Sequence, residues 1–392
     1  MTPGSIGPQI LDLVRAERHY MIELLERLTL AESPSSNAES QQRIRELLSE
    51  ELEALRFSSR LLPGLSSGGQ IYARPRDRRR GDARQLIVGH FDTVWPVGTL
   101  EKMPFTVENN IVKGPGVFDM KGGLVQLVLA LRALAQLEIE PAVMPVIFLN
   151  SDEEIGSRES ARYITALAQR AERAFVLEPS LGPSGLIKTA RKGVGRFTII
   201  ARGRAAHAGL DPERGASAIL ELAIVIQKLF ALNDPKRGVT VNVGTIDGGL
   251  RPNVIAPTSR AVVDVRVASQ ADADRIEAAI RVLEPQTDGV QLEIEGGMGR
   301  PPLEPTPRNQ VLWALAQKLG SSLGLDLGEA RAGGGSDGNT TSLYTATLDG
   351  LGPVGDGAHA HHEQLDLDRT TERAALLGLL LIAPPIGGTQ HE

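Results

Sequence analysis

The chain contains no cysteine. Disulfides, cysteine-based zinc fingers and thiol catalysis are excluded, so any metal must be held by His, Asp and Glu. Long apolar runs are also missing, and none approaches the ~20 residues of a membrane-spanning helix. There is no surplus of positive charge. The 42 Lys and Arg are outnumbered by 48 Asp and Glu, and the net charge of −6 argues against nucleic acid as the main partner. Residues 1–31 carry scattered charges and no apolar h-region, so no signal peptide is read and a cytoplasmic protein is expected. No internal repeat or low-complexity segment stands out.

What is present is ordinary for a globular protein: 392 residues, 41% hydrophobic and 23% charged. The length exceeds that at which single cores stop growing, so two domains are expected. Leu and Ile have helical spacing over 10–31 and 38–56, and Ser33-Pro34-Ser35-Ser36-Asn37 between them breaks the pattern and supplies a cap. The basic stretch Arg74 to Gly81 reads as a solvated loop between two strands, because Asp77 and Asp82 interrupt it. Strands at 85–89 and 143–149 flank a helix at 122–137, a βαβ rhythm that predicts a mainly parallel sheet. After about residue 188 the pattern changes. Gly195 to Ala201 alternates as a half-buried strand. A helix at 214–232, strands at 239–246 and 260–267, a helix at 271–283 and a strand at 290–295 follow. This β-α-β-β-α-β order is that of a ferredoxin-like unit. Pro301, Pro302 and Pro305 mark its exit. A helix at 308–323 and apolar segments at 345–354 and 373–383 then return. The expected fold is a large α/β domain with a mainly parallel sheet, formed by 1–188 and 303–392. A smaller α+β ferredoxin-like domain, 189–302, interrupts it.

The chemistry-bearing residues gather at the ends of apolar runs. Leu86-Ile87-Val88-Gly89 leads into His90, and open α/β sheets place their sites at such strand ends. Asp92, two positions on, lies on the same side and can orient that imidazole. Asp119 sits in a Gly-rich turn entering a helix, where an N-cap is the plainer reading. The strand Val146 to Ser151 runs into Asp152-Glu153-Glu154, three carboxylates that repel one another unless cations compensate. A further strand, Ala174 to Leu177, ends at Glu178. An apolar segment, 351–354, precedes His359, His361 and His362. Several carboxylates with two histidines suit a dinuclear zinc or similar centre. Such a pair of metals, ~3.5–4 Å apart, needs a bridging carboxylate.

These motifs resemble the M20 family of co-catalytic metallopeptidases, on its glutamate carboxypeptidase branch. They are Gly-His-Phe-Asp-Thr-Val-Trp-Pro from Gly89, Gly-Val-Phe-Asp-Met-Lys-Gly-Gly from Gly116, Asp-Glu-Glu-Ile-Gly-Ser from Asp152, Glu-Pro-Ser from Glu178 and Gly-Ala-His ending at His359. The resemblance covers nearly the whole chain. It implies two Zn2+, for which Co2+ or Mn2+ can substitute. His90 and Glu178 would bind one metal, Glu154 and His359 the other, and Asp119 would bridge them. Asp92 would orient His90, and Glu153 would be the general base. His359 is preferred over His361 and His362 because Glu363 follows in the family's register. His207, in Gly203 to Gly209, would stabilise the oxyanion in the partner subunit of a homodimer formed through the small domain. Asn253 matches a substrate-contacting position, and Gly334 lies in a segment that lines the substrate pocket. Gly333-Gly334-Gly335-Ser336-Asp337 lacks the ending of a phosphate loop. Arg266 is the leading candidate for the substrate carboxylate, with Arg300 second. Asp264 and Arg266 share one face of their strand.

The expected activity is zinc-dependent hydrolysis of an amide bond adjacent to a free carboxylate. Small peptides or N-acyl amino acids would be substrates, and a C-terminal glutamate a candidate product. The alternatives are a deacylase or desuccinylase of a diamino acid, or an N-carbamoyl amidase, on the same fold. A non-catalytic metal-binding scaffold is the remote third, and it sits poorly with an intact Glu153 and five candidate ligands.

Overall fold

A computed structural model describes residues 3–77 and 83–386. The Arg78-Arg79-Arg80 part of the basic stretch lies outside the described residues. The strands Gln70–Pro75 and Arg84–His90 flank it. The chain divides into two compact units. The larger comprises the residues up to Thr189, Pro305–Arg331 and those from Ser336 onward, and the smaller Ala190–Glu304 with Ala332–Gly335. No helix among the described residues is long and apolar enough to cross a membrane.

The larger unit is built on a six-stranded sheet in the order Phe57–Leu62, Gln70–Pro75, Met144–Asn150, Arg84–His90, Arg173–Val176, Ala346–Leu348. The first two strands are antiparallel additions. The other four run parallel, so their C-terminal ends share one edge. Arg84–His90 sits among them with Ile87 in one core and Leu86 and Val88 in another. Helices Gly122–Gln136 and Leu367–Ile382 pack in the first core, and helix Ala161–Ala168 in the second. A strand covered on both faces must be apolar throughout, which is why it reads as a continuous run rather than an alternation. Burying Ile87 alone stabilises the fold by about 1.5–3 kcal/mol.

The N-terminal region differs from its periodicity. Two helices, Pro3–Ala16 and Arg18–Leu30, stand where 10–31 read as one stretch, and they break at Glu17. No Gly or Pro marks that break. Ser33 and Ser35 do not cap the next helix, Gln42–Ala54. Instead Thr93 N donates to Ser33 O at 2.9 Å and Ser35 N to Thr93 O at 3.1 Å, so this segment pairs with the chain just after His90. Asn37 does accept from Ser40 N at 3.2 Å, in the turn before the helix.

Helix Gly122–Gln136 begins with two glycines for a packing reason. A Cβ on Gly123 would stand 2.3 Å from the carbonyl oxygen of Leu177. Helix start and strand end therefore meet backbone to backbone beside Glu178. An alanine there forces one of them to move, typically costing about 1–3 kcal/mol.

The smaller unit is a four-stranded antiparallel sheet in the order Thr240–Gly248, Thr258–Val267, Gly193–Arg202, Gln291–Arg300. In chain order this is second, third, first, fourth, the ferredoxin-like arrangement. Helices Ala218–Phe230 and Gln270–Arg281 are capped by Ser217 and Ser269, whose side chains accept from Leu220 N and Asp272 N. Phe197, Ile199, Val263, Val265, Leu222 and Ile276 share its core. Val263, Val265 and Val267 are buried while Asp264 and Arg266 face away, as the period of two requires.

Candidate metal centre

The parallel strands carry the site to one edge. His90 ends Arg84–His90 and lies in register with Asn150, after which the chain turns into Asp152, Glu153 and Glu154. Glu178 follows strand Arg173–Val176. Asp119 belongs to the turn Val117–Lys121, and its backbone is non-helical (φ −117°, ψ 94°). The cap position of helix Gly122–Gln136 is Lys121, two residues on, so Asp119 does not cap that helix. His359 comes from the loop after Gly355–Asp356, with φ 62°.

All five candidate ligands meet. His90 Nε2 lies 3.3 Å from Asp119 Oδ1 and 3.5 Å from Glu178 Oε1. His359 Nε2 lies 3.4 Å from Asp119 Oδ2 and 3.0 Å from Glu154 Oε2. The two oxygens of Asp119 thus face different imidazoles. Glu153, His90 and Glu178 offer ligand atoms within 4.8 Å of one another, as do His90, Asp119 and Glu154. His361 stacks near Trp95, with ring centroids 5.4 Å apart, and His362 lies 3.7 Å from Asp356. Neither histidine joins the cluster among these contacts.

The donor set fits a pair of divalent cations. His90 Nδ1 is 3.0 Å from the carbonyl oxygen of Asp92. That bond places the proton on Nδ1 and turns the Nε2 lone pair toward the carboxylates, as metal ligation requires. His90 Nε2 and Asp119 Oδ1 are buried atoms without a well-formed hydrogen bond among the described residues. Such atoms are costly unless a ligand satisfies them.

Electrostatics give the same picture. Burial pushes the His90 imidazole down, but Asp119, Asp92 and Glu178 outweigh it and hold it well above its usual value. Hydrogen bonds to Asp119 and Glu154 raise His359 to about 10. Burial pushes Glu154 up to about 7, against the hydrogen bond from His359. Burial also pushes Asp119 up, but the facing His359 and His90 imidazoles prevail and hold it below the usual carboxylate range. Without metal, protons on two imidazoles compensate the carboxylates. Metal binding would displace those protons.

Asp92 does more than face His90. Its Oδ1 lies 3.3 Å from His90 Nδ1, farther than its own carbonyl oxygen. The carboxylate accepts from Glu153 N and Glu154 N, both at 3.2 Å, and from Ser35 Oγ at 2.6 Å. It fixes the backbone that carries Glu153 and Glu154.

The remaining candidates lie in the smaller unit. His207 is exposed, and its Nδ1 accepts from Gly209 N at 3.1 Å and Leu210 N at 3.2 Å. An accepting Nδ1 leaves the proton on Nε2, a donor. Ala208 N donates to Asn253 O at 3.0 Å, and His207 pairs with Val254, so these two loops sit side by side. Arg266 forms a two-pronged pair with Asp264, Nε to Oδ1 at 2.8 Å and Nη2 to Oδ2 at 3.1 Å. Arg300 ends strand Gln291–Arg300. The Gly334 carbonyl accepts from the buried Arg191 at 3.2 Å.

Sequence reasoning did not single out Ser35, Arg191 or the anchoring role of Glu363. The Glu363 carboxylate accepts from Gly116 N, Phe118 N, Asp119 N and Trp95 Nε1. Its register after His359 was the one available signal.

The chain is 27% identical over 379 residues to carboxypeptidase G2 of a Pseudomonas species, covering 93% of this chain and 89% of that protein. It is 29% identical over 311 residues to succinyl-diaminopimelate desuccinylase of an Azoarcus species, covering 74% and 80%. Among solved structures it resembles an M20 family metallo-carboxypeptidase from Sulfolobus solfataricus, with a TM-score of 0.71, 17% identity and coverage of 93% and 98%. It also resembles a dinuclear metal-binding M20 peptidase from Bacillus subtilis, with a TM-score of 0.68, 17% identity and coverage of 94% and 98%. At these identities the structural likeness speaks for the fold. The sequence profile described as peptidase family M20/M25/M40 matches residues 86–383, and the chain belongs to that family.

Proposed function

We propose that this M20-family hydrolase cleaves an amide bond adjacent to a free carboxylate. Two divalent metals, zinc foremost, would be held by His90 and Glu178 on one side and Glu154 and His359 on the other, with Asp119 shared. The observation that carries this reading is the division of the Asp119 carboxylate between His90 and His359. Bound there, the metals would supply Lewis-acid polarisation of the scissile carbonyl and activation of a water.

The chain's own residues supply the rest. Glu153 accepts a proton as water oxygen adds to the carbonyl carbon. It passes that proton to the nitrogen as the C–N bond breaks, releasing acid and amine. Its neighbour Glu154 is occupied by His359, so two adjacent carboxylates take different roles. The Nε2–H of His207 is available to donate to the oxyanion. Asn253 and the Gly334 segment would contact substrate, and Arg266 or Arg300 would bind its carboxylate.

A panel of small peptides and N-acyl amino acids, assayed with metal-free protein and with Zn2+, Co2+ or Mn2+ restored, tests the reading. Activity should vanish on chelation and return with metal. Full activity in a demonstrably metal-free sample would sink it. The likeness to the Azoarcus desuccinylase supports a second reading, deacylation of an N-acyl diamino acid. An N-carbamoyl substrate is a third. The identity of the released amine discriminates among them.

A homodimer through the smaller unit completes the proposal. Thr240–Gly248 is an edge strand of that unit's sheet. Ile246 on that strand is 58% exposed and Leu250, just beyond it, 71%, and Ile219 and Leu220 are exposed on helix Ala218–Phe230. An unpaired strand edge with exposed apolar side chains beside it favours pairing with another copy. Mixing inactive His207→Ala and Glu153→Gln subunits should restore activity if His207 serves the other subunit's site. No recovery, with exchange verified, would refute that role.

A further inference from the structure

We propose that Glu363 is the positioning residue of the dinuclear centre, tying the bridging Asp119 to the loop that carries His359. The inference rests on the dinuclear reading above. Glu363 is fully buried. Its Oε1 accepts from Phe118 N at 2.9 Å and Asp119 N at 3.0 Å, and its Oε2 from Gly116 N at 2.9 Å and Trp95 Nε1 at 2.7 Å. Four donors converge on two oxygens, and three of them are backbone N–H groups of the segment Gly116–Asp119 that presents the bridging carboxylate.

That turn needs an external hold. Its backbone departs from helical geometry at Asp119 and Met120, so the helix beginning at Gly122 does not propagate through it. The bonds to Glu363 fix it instead. Glu363 also belongs to the short loop of His359, which is closed by Ala360 N to Gly357 O at 2.8 Å and Glu363 N to Ala360 O at 2.9 Å. One loop therefore holds Asp119 twice: Glu363 takes its backbone N–H, and His359 faces its Oδ2. The distance between bridge and second imidazole is set by four residues of chain.

The chemistry calls for a carboxylate. An amide of the same size has one accepting oxygen, and its NH2 group would face two of the four donors. Glu363→Gln therefore preserves shape while breaking half of the anchor. Partners of this kind, one step removed from the metal, typically contribute 10–100-fold to metal affinity.

The test is titration of the full-length protein with Zn2+ and with Mn2+, together with the electron paramagnetic resonance of the dimanganese form. Wild type should bind two ions with exchange coupling through the shared carboxylate. Glu363→Gln, with its far-ultraviolet circular dichroism unchanged, should bind them at least ~10-fold more weakly and lose coupling. A folded Glu363→Gln protein with wild-type affinities and coupling overturns the proposal, even if its Tm has fallen. If that variant does not fold, Trp95→Phe decides, because it removes one donor and leaves the three backbone bonds. Weakening by ~2–10-fold is then expected, and wild-type affinity overturns the proposal. Wild type that never binds a second ion overturns the dinuclear reading, and this inference falls with it.

Discussion

His90 Nδ1 lies 3.0 Å from the backbone carbonyl of Asp92, closer than it lies to that residue's carboxylate at 3.3 Å. The side chain of Asp92 is thereby available to the two glutamates. Asp92→Asn should therefore leave the His90 tautomer in place but set an amide NH2 either against the donor from Glu153 or against those from Glu154 and Ser35. We expect metal retention to weaken by ~10–100-fold. Ser35→Ala, which removes one bond to the same carboxylate, should cost only about 1 kcal/mol of stability. Dialysis against graded chelator, with metal content measured, checks the first, and thermal unfolding the second. Wild-type metal retention in Asp92→Asn would mean that Asp92 does no more than its carbonyl.

Glu153 and Glu154 are neighbours with separable functions. Glu153→Gln should lower kcat by ~10²–10⁴-fold while both metals remain. Glu154→Gln should lose metal first, because His359 then faces an amide. Metal analysis beside single-turnover kinetics distinguishes them. Metal loss in Glu153→Gln with activity retained would mean that the two roles are exchanged.

Away from the metal cluster, Glu159 gives a clean pH signature. Its carboxylate accepts from Leu65 N, Ser66 N, Ser66 Oγ and Ser67 Oγ. Slight burial pushes the carboxyl up, but the bonds from Ser66, Leu65 and Ser67 prevail and hold it at about 2. A pKa below the unfolded value of ~4.3 means stability that is fully present above ~4.3 and lost as pH falls through about 2. The Tm difference between wild type and Glu159→Gln should therefore be constant at neutral pH and shrink steadily below pH ~5. A difference that grows with acidity would contradict the assignment.

Substrate choice is the prediction with the sharpest kinetic form. Arg266 already has a two-pronged partner in Asp264. If it is the carboxylate receptor, Arg266→Lys should raise KM for substrates with a free carboxylate, since the planar fork is lost. Amidated substrates should be poor from the start and indifferent to the change. Should the free-carboxylate KM respond at Arg300 instead, that residue is the receptor.

The legible parts of this protein were those written in side-chain chemistry at strand ends. Apolar runs that finish in His90, Glu153 and Glu178 announce both the parallel sheet and its working edge. The small unit was legible because Val263, Val265 and Val267 alternate with Asp264 and Arg266. Glu363 was opaque because three of its partners are backbone N–H groups, which leave no trace in residue identity. Ser35 read as part of a segment that breaks one helix and caps the next, although its hydroxyl meets Asp92 at 2.6 Å. The break at Glu17 carries no helix-breaking residue, so periodicity ran through it.

The loop joining His359 to Glu363 also sets a timetable. During synthesis, His90, Asp119, Glu153, Glu154 and Glu178 are all made well before it. Until that loop emerges, the nascent chain has one of the two candidate ligand imidazoles and an unanchored Asp119. Loading with a metal pair would then be a late event in the life of the molecule, after most of the sheet can form. Nascent chains carrying a C-terminal linker that spans the exit tunnel should capture at most one metal tightly when stalled with Ala346–Leu348 emerged, and two when stalled with Glu363 emerged. Equal capture by both would show that the last loop is dispensable for loading.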